Sequence, residues 1–170
     1  MIVSNEALVH KNAAFAATGA FEGLPFPTSD ILRVVGCVDS RVEPSHVLGL
    51  DLGERVVMRN IGSWITPAAL REWVLLGRIG QGQPPSGHLV SLHHNDCGVA
   101  RLANFTERLA AIYEIPVEDL ESKAVTDPYA SARIDDAVAR HALPPSLRVS
   151  GVVYDVNTGL IDFVDPATEE

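Results

Sequence analysis

The sequence is poor in cysteine and lacks any long hydrophobic run. Two of its 170 residues are cysteine, and 6% are aromatic. No apolar stretch approaches the roughly 20 residues that a membrane-spanning helix requires. The N-terminus also lacks the basic start and apolar stretch of a signal peptide. A cytoplasmic protein with no membrane partner is therefore expected.

Basic residues are scarce as well. There are 13 Lys and Arg residues against 22 Asp and Glu, which gives a net charge of −9. Nucleic-acid-binding proteins usually carry clustered Lys and Arg, so no nucleic-acid partner is expected. The hydrophobic fraction of 46% is ordinary for a globular domain and is sufficient for a core.

Segments typical of strands alternate with segments typical of helices. Strands are predicted where short β-branched runs occur: 31–38, 54–61, 88–93, 147–156 and, after an Asn-Thr-Gly turn, 160–164. Helices are predicted at 4–18 with Ser4 as N-cap, from Pro44, from Thr66 to about Gly80, at 98–111 and, as one or two helices, within 117–141.

This alternation predicts an α/β fold with three layers. We expect a central, mostly parallel four-stranded sheet with an antiparallel C-terminal edge strand, flanked by helices. Residues 1–170 should form a single domain. Residues 1–27 should form an N-terminal helical arm with its connection, and residues 28–164 an α/β core. The helix of the arm is predicted to be amphipathic.

Three short motifs carry reactive side chains. They are Cys37-Val-Asp-Ser-Arg, Arg59-Asn-Ile-Gly and His94-Asn-Asp-Cys-Gly. The first and third follow predicted parallel strands, at the sheet edge where open α/β sheets bind ligands. If these two strands are neighbours, Cys37, His94 and Cys97 meet at one point.

The three residues are of the types that bind zinc. Two thiolates and one imidazole make three protein ligands, and a catalytic zinc keeps its fourth position for water or substrate. The pattern therefore favours one Zn²⁺ held by Cys37, His94 and Cys97. His93 is not favoured, because neighbouring strand residues point to opposite faces.

Asp39 and Arg41 follow the first cysteine on the same loop. A carboxylate can accept a hydrogen bond from metal-bound hydroxide, and a bidentate guanidinium would orient it and keep it ionised. Each motif also has a simpler interpretation. A buried cysteine is usually inert core, and Asp-Ser-Arg is usually a turn with a surface ion pair.

Together, the motifs resemble the β-class carbonic anhydrase family. The segments GCVDSRVEP, VVMRNIG and LHHNDCG occur in the order of that family, and the likeness covers roughly residues 10–164. It is closest to the short microbial branch. One departure is Ile61-Gly62-Ser63-Trp64, where many members have a run of small residues.

The resemblance implies reversible hydration of CO₂ to bicarbonate and a proton by zinc-bound hydroxide. It implies Cys37, His94 and Cys97 as zinc ligands and Asp39 with Arg41 as the catalytic pair. Gly62 and Gly98, in the second and third motifs, are expected to contact substrate. The family also implies a homodimer or a dimer of dimers, with the N-terminal helix reaching over the partner.

Three other functions stay open at this point. The same zinc site could hydrolyse CS₂ or COS, which are linear like CO₂. The chain could instead be a catalytically silent zinc-binding relative. A thiol redox protein is disfavoured, because no Cys-x-x-Cys motif occurs in the sequence.

Overall fold

The computed structural model describes residues 3–24, 32–79, 87–120 and 122–164. Two predicted features fall largely outside these residues. They are the connection containing Pro25 and Pro27 and the loop at 80–87, of which Gly87 alone is described.

One sheet of five strands forms the centre of the fold. The strands are β1 (Leu32–Cys37), β2 (Arg55–Asn60), β3 (Gly87–His94), β4 (Leu147–Tyr154) and β5 (Ile161–Val164). Their order is β2-β1-β3-β4-β5. The first four pair in parallel, and β5 pairs antiparallel with β4. The predicted sheet, including its antiparallel edge, is confirmed.

The central strands are buried on both faces because they are almost continuously apolar. Val35 and Leu89 belong to one core cluster and Val34 and Val90 to another, as the alternation of side chains along a strand requires. Both pairs are at most 5% exposed. Trp73 also packs in the first cluster.

Outside the segment 98–111, the helices begin and end near the expected residues. They are α1 (Asn5–Ala16), α2 (Pro44–Val47), α3 (Pro67–Ile79), α4 (Thr106–Tyr113), α5 (Ser122–Thr126) and α6 (Pro128–Ala142), with 3₁₀ turns at Ile61–Ser63, Gly98–Leu102 and Val117–Asp119. Ser4 caps α1 and Thr66 caps α3. Asp127 accepts hydrogen bonds from two backbone N–H groups at the start of α6. A new helix therefore begins after Asp127, and α5 and α6 are separate helices.

The helix predicted at 98–111 was wrong as a single element. A 3₁₀ helix at Gly98–Leu102 is followed by a turn, and α4 starts only at Thr106. Asn104 lies in that turn, and its side-chain type competes with helical hydrogen bonding. The short first piece directly follows Cys97.

The predicted amphipathic character of the N-terminal helix was also wrong. Within the described part of the chain, no residue of α1 is buried. Its apolar side chains face solvent, and Val9 is 70% exposed. The segment is rich in alanine, which explains why a helix forms without one apolar face.

None of the helices that the structure describes is long and apolar enough to cross a membrane. The cytoplasmic location expected from the sequence stays a prediction.

Close packing of β4 against α6 gives a test of the fold. A Cβ added at Gly151 would lie 3.0 Å from the main-chain oxygen of Ala132 and 3.2 Å from its Cβ. We expect Gly151→Ala to lower the free energy of unfolding by about 1–3 kcal/mol, as overpacking does, measured by urea denaturation. Gly98→Ala is the control, because a Cβ there meets nothing within 4 Å. Equal stability of the Gly151 variant and the wild type would contradict this packing.

Candidate metal centre and active site

The ends of β1 and β3 bring the two reactive motifs together. Strands β1 and β3 are direct neighbours, with Gly36 paired to Leu92. Strand β1 ends one residue after this pair, at Cys37, and β3 ends two residues after it, at His94. A turn at Asp96, which has a positive φ of 50°, then carries Cys97 back toward the same point.

The three candidate ligands converge in the structure. The Sγ atoms of Cys37 and Cys97 are 3.8 Å apart. The potential ligand atoms of these two residues and of His94 all lie within 4.8 Å of one another. Cys37 and His94 are buried, at 3% and 1% exposure. The group is therefore small enough to surround a single metal ion.

The ring of His94 is oriented so that one nitrogen remains available. Its Nδ1 lies 2.8 Å from the main-chain oxygen of Asn95. Its Nε2 is buried and has no hydrogen-bond partner among the described residues. A buried, unpartnered nitrogen is costly, and a metal ion bound by Cys37 and Cys97 would satisfy it.

The two thiols affect each other's acidity. The hydrogen bond from Cys97 is the largest of the effects that lower the pKa of Cys37 below its ordinary value, and the backbone N–H groups of Asp39 and Gly62 act in the same direction. The same contact with Cys37 raises the pKa of Cys97 far above its ordinary value. Two thiolates with their sulfur atoms 3.8 Å apart would repel each other. A cation is needed before both can be thiolates.

Asp39 and Arg41 form a bidentate ion pair beside the cysteines. Arg41 donates from Nε to Asp39 Oδ1 over 3.1 Å and from Nη2 to Oδ2 over 2.7 Å. The Arg41 backbone N–H also donates to Oδ1 over 2.9 Å. The side-chain hydrogen bonds from Arg41 hold the pKa of Asp39 well below its usual range. The Asp39 carboxylate is thus ionised and fixed in direction.

Asp96 is a second partner of Arg41 that the sequence analysis missed. Arg41 Nη1 donates to Asp96 Oδ2 over 2.7 Å, and Nη2 donates to the Asp96 main-chain oxygen over 2.9 Å. Arg41 therefore links the loop after Cys37 to the loop that contains Cys97. The position of Asp96 within the His-Asn-Asp-Cys motif was the available signal.

Arg59 was named in a motif without a role. Its guanidinium donates to the main-chain oxygens of Cys37, Asp39 and Val42 over 2.8, 2.9 and 3.0 Å. It also pairs with Glu43 at 2.6 Å. Three carbonyl groups, one at the end of β1 and two in the loop after it, thus contact one side chain from β2. Contacts with main-chain oxygens leave no pattern that the sequence could reveal.

A cavity of about 240 Å³ is lined by two of the three candidate ligands, His94 and Cys97. Gly62 lines it together with His94 and Cys97, and Val99 and Val125 contribute apolar wall. Gly62 has a φ of 85°, and a Cβ there would lie 2.8 Å from the Trp64 ring, so a larger residue would be strained. Gly98 is not among the lining residues.

His93 lies outside the group formed by Cys37, His94 and Cys97, although it lines the adjoining cavity. Its Nε2 pairs with Asp135 at 2.8 Å, and both side chains are at most 3% exposed. This buried pair ties β3 to α6 and was not foreseen. The remaining histidines lie in α1, α2, β3 and α6, outside the centre: His10, His46, His88 and His141.

Comparison with known proteins agrees with this geometry. A family model described as carbonic anhydrase matches residues 32–115. Beta-carbonic anhydrase 1 of Mycobacterium tuberculosis is 30% identical over 175 residues, covering 98% of this chain and 100% of the relative. The crystal structure of a carbonic anhydrase from Streptococcus mutans matches with a TM-score of 0.74 and 30% identity, covering 97% of this chain and 100% of that one.

A third likeness concerns the fold alone. The apo form of a carbon disulfide hydrolase matches with a TM-score of 0.61 and 22% identity, covering 95% of this chain and 89% of that one. Fold and site together define an α/β protein whose site can hold a metal. The chain belongs to the β-class carbonic anhydrase family, as the full-length relatives establish, and this family converts CO₂ and water to bicarbonate and a proton.

The ion pair generates a prediction about acidity. We expect Arg41→Gln to raise the pKa of Asp39 toward the ordinary value of about 3.9, because the side-chain hydrogen bonds that depress it are lost. Carboxyl ¹³C NMR titration measures the change. Arg71→Gln, which removes a surface pair with Glu114, should leave the Asp39 pKa unaltered.

The sign of the pH dependence follows from the same shift. Since the folded pKa of Asp39 lies below its unfolded value, Asp39 contributes stability at neutral pH that is lost as the pH falls below about 4. In Arg41→Gln this acid-linked loss should shrink. An Asp39 pKa that is the same with and without Arg41 would show that the pair does not control this carboxyl.

Proposed function

We propose that this chain is a zinc-dependent carbonic anhydrase in which Cys37, His94 and Cys97 hold the metal. The observation that carries the proposal is the convergence of these three ligand atoms within 4.8 Å of one another. The reaction is the reversible hydration of CO₂ to bicarbonate and a proton.

The chemistry of the donor set fits zinc. Thiolate and imidazole ligands are those that zinc prefers, and three protein ligands are typical of catalytic sites with one open position. Two thiolates balance the charge of a divalent ion, which removes the conflict between two close sulfurs. When bound, zinc supplies a nucleophile at neutral pH by lowering the pKa of water.

Asp39 is proposed to orient the attacking oxygen. Among the described residues, its Oδ2 accepts a hydrogen bond from Arg41 alone, and a carboxylate oxygen can accept two. One acceptor position thus remains for an O–H group at the centre. An ionised carboxylate cannot donate, so it binds water or hydroxyl through the proton and leaves a lone pair free to attack. CO₂ has no proton and cannot compete for this position.

Arg41 supports Asp39 and is not proposed to contact CO₂. Its Nε, Nη1 and Nη2 all donate to Asp39 or Asp96. The guanidinium therefore fixes the Asp39 carboxylate in place and keeps it ionised. Asp96 in turn fixes Arg41, so the pair has little freedom to rotate away.

The apolar part of the cavity suits a small linear substrate. Val99, Ala100 and Val125 form part of its wall, and Gly62 keeps the space beside the ligands open. Gly62 is therefore proposed to contact substrate. For Gly98, the proposal rests on the sequence resemblance.

Self-association as a homodimer, or as a dimer of dimers, is proposed as well. Helix α1 contributes no buried residue within the described chain, and Leu8 and Phe15 on it are 54% and 41% exposed. Such a helix gains most from packing on another protein surface, which agrees with an arm that reaches over a partner subunit.

Hydrolysis of COS or CS₂ at the same site is the alternative function. Its support is the fold shared with a carbon disulfide hydrolase and the linear shape that these substrates share with CO₂. A silent zinc-binding relative would lack turnover of all three.

Measuring the zinc content of the protein together with its CO₂ turnover tests the proposal. We expect wild-type protein to bind one zinc per chain and to hydrate CO₂ in stopped-flow assays. We expect Cys37→Ser to lose at least about 100-fold in kcat/KM, since one ligand to the metal is weakened. Ser40→Ala, on the same loop but outside the ligand set, is the control for loop disturbance.

Three results would contradict the proposal. Wild-type protein with full zinc and no CO₂ hydration would favour the silent relative. Turnover of COS without turnover of CO₂ would favour the hydrolase. Equal activity of wild type and Cys37→Ser would remove Cys37 from the metal site.

A further inference from the structure

Asn95 lies between two proposed metal ligands in the sequence, His94 and Cys97. It follows His94 directly, at the point where β3 leaves the sheet. Its main chain and its side chain are both engaged, although neither is a metal ligand.

The main-chain oxygen of Asn95 contacts the ring of His94. The distance from Nδ1 is 2.8 Å. A carbonyl oxygen can only accept, so Nδ1 must carry the proton in this hydrogen bond. The lone pair of the neutral ring then lies on Nε2, the buried nitrogen without a partner among the described residues. The Asn95 carbonyl thereby selects the tautomer and the ring direction that a metal requires.

The Asn95 carbonyl is itself held through three contacts with the end of β4. The Asn95 backbone N–H donates to the Tyr154 oxygen over 3.1 Å. Its side-chain Nδ2 donates to Asp155 Oδ1 over 2.8 Å, and its Oδ1 accepts from the Val156 backbone N–H over 2.9 Å. Both polar atoms of the amide are satisfied, so the residue is fixed at both ends.

Asp155 anchors this arrangement in the β4–β5 hairpin. The same Oδ1 accepts from the Asn157 backbone N–H over 2.8 Å. The Asp155 main chain donates to the Leu160 oxygen over 2.9 Å and accepts from Gly159 over 2.8 Å. The hairpin turn thus fixes the position of Asp155 Oδ1, and this oxygen holds the side chain of Asn95.

We propose that Asn95 is a positioning residue for the metal centre, held by Asp155, so that the β4–β5 hairpin sets the direction of the His94 ring. This inference rests on the proposed metal site. Its chain of contacts runs from the hairpin turn through Asp155 and the Asn95 amide to the Asn95 carbonyl and the His94 ring.

A purely structural role for Asn95 makes a different prediction. Attachment of the hairpin to the sheet would affect the stability of the metal-free protein and leave the metal affinity of the folded protein unchanged. Positioning of a ligand affects the metal affinity itself. Hydrogen-bond partners of metal ligands typically contribute 10–100-fold to metal affinity.

The experiment measures zinc affinity by competition with a chelator, together with thermal unfolding of the metal-free protein. The variants are Asn95→Ala, Asp155→Ala and the double variant. Asp162→Asn is the matched control, because Asp162 lies on the same hairpin and accepts a hydrogen bond from Tyr129, outside this network. Asp155→Asn keeps an oxygen acceptor for Asn95 and tests whether the contact or the charge matters.

We expect Asn95→Ala and Asp155→Ala each to raise the zinc Kd about tenfold, in line with the range for such contacts. The double variant should resemble the weaker-binding single variant, because both changes break one network. Asp162→Asn should bind zinc as wild type does, and Asp155→Asn should lie close to wild type. If Asn95→Ala fails to fold, Asp155→Ala leaves the segment between the ligands unaltered and decides the matter.

The inference is overturned if both alanine variants keep the wild-type Kd, or if their effects on Kd add independently. It is also overturned if they lower only the unfolding temperature of the metal-free protein. Failure of wild-type protein to bind one zinc would instead overturn the proposed function, and this is seen before any variant is made.

Discussion

Two sulfur atoms held 3.8 Å apart in a largely buried site are the constraint on which the rest of the centre depends. Both cannot be thiolates without a cation, since like charges at this distance repel strongly where water is excluded. The fold nevertheless keeps them together, and it directs the free nitrogen of a buried imidazole at the same space. A bound metal ion would balance the charge of two thiolates and would also give the imidazole nitrogen a partner.

The centre is held by side chains that act on the loops rather than on the metal. Arg59 donates to three main-chain oxygens, one at the end of β1 and two in the loop after it. Arg41 joins that loop to the turn before Cys97 through Asp39 and Asp96. Asn95 fixes the remaining ligand from the side of β4. Each loop that supplies a ligand is therefore held by hydrogen bonds of a polar side chain, and these give the site a defined geometry.

Much of this could be predicted from the sequence. The β-branched runs located the strands, and the motifs after the first and third strands located the candidate ligands and the Asp39–Arg41 pair. The convergence of Cys37 with Cys97 required only that β1 and β3 be neighbours, which parallel α/β topology makes common. The family resemblance supplied the reaction.

The parts that escaped prediction share a physical cause. Asp96, Arg59 and Asn95 act through hydrogen bonds that involve main-chain oxygens or residues distant in sequence, and such contacts have no periodicity or spacing. The break at Asn104 depended on local competition for hydrogen bonds, which a helical apolar pattern conceals. For α1, composition predicted a helix correctly, but the position of its apolar residues gave no face that this chain buries.

The metal centre itself is tested most directly by X-ray absorption at the zinc edge of the reconstituted wild-type protein. The account predicts two sulfur scatterers at about 2.3 Å and two lighter scatterers at about 2.0–2.1 Å, with one sulfur lost in Cys37→Ser. A first shell with no sulfur, or one with four sulfurs and no nitrogen, would contradict it.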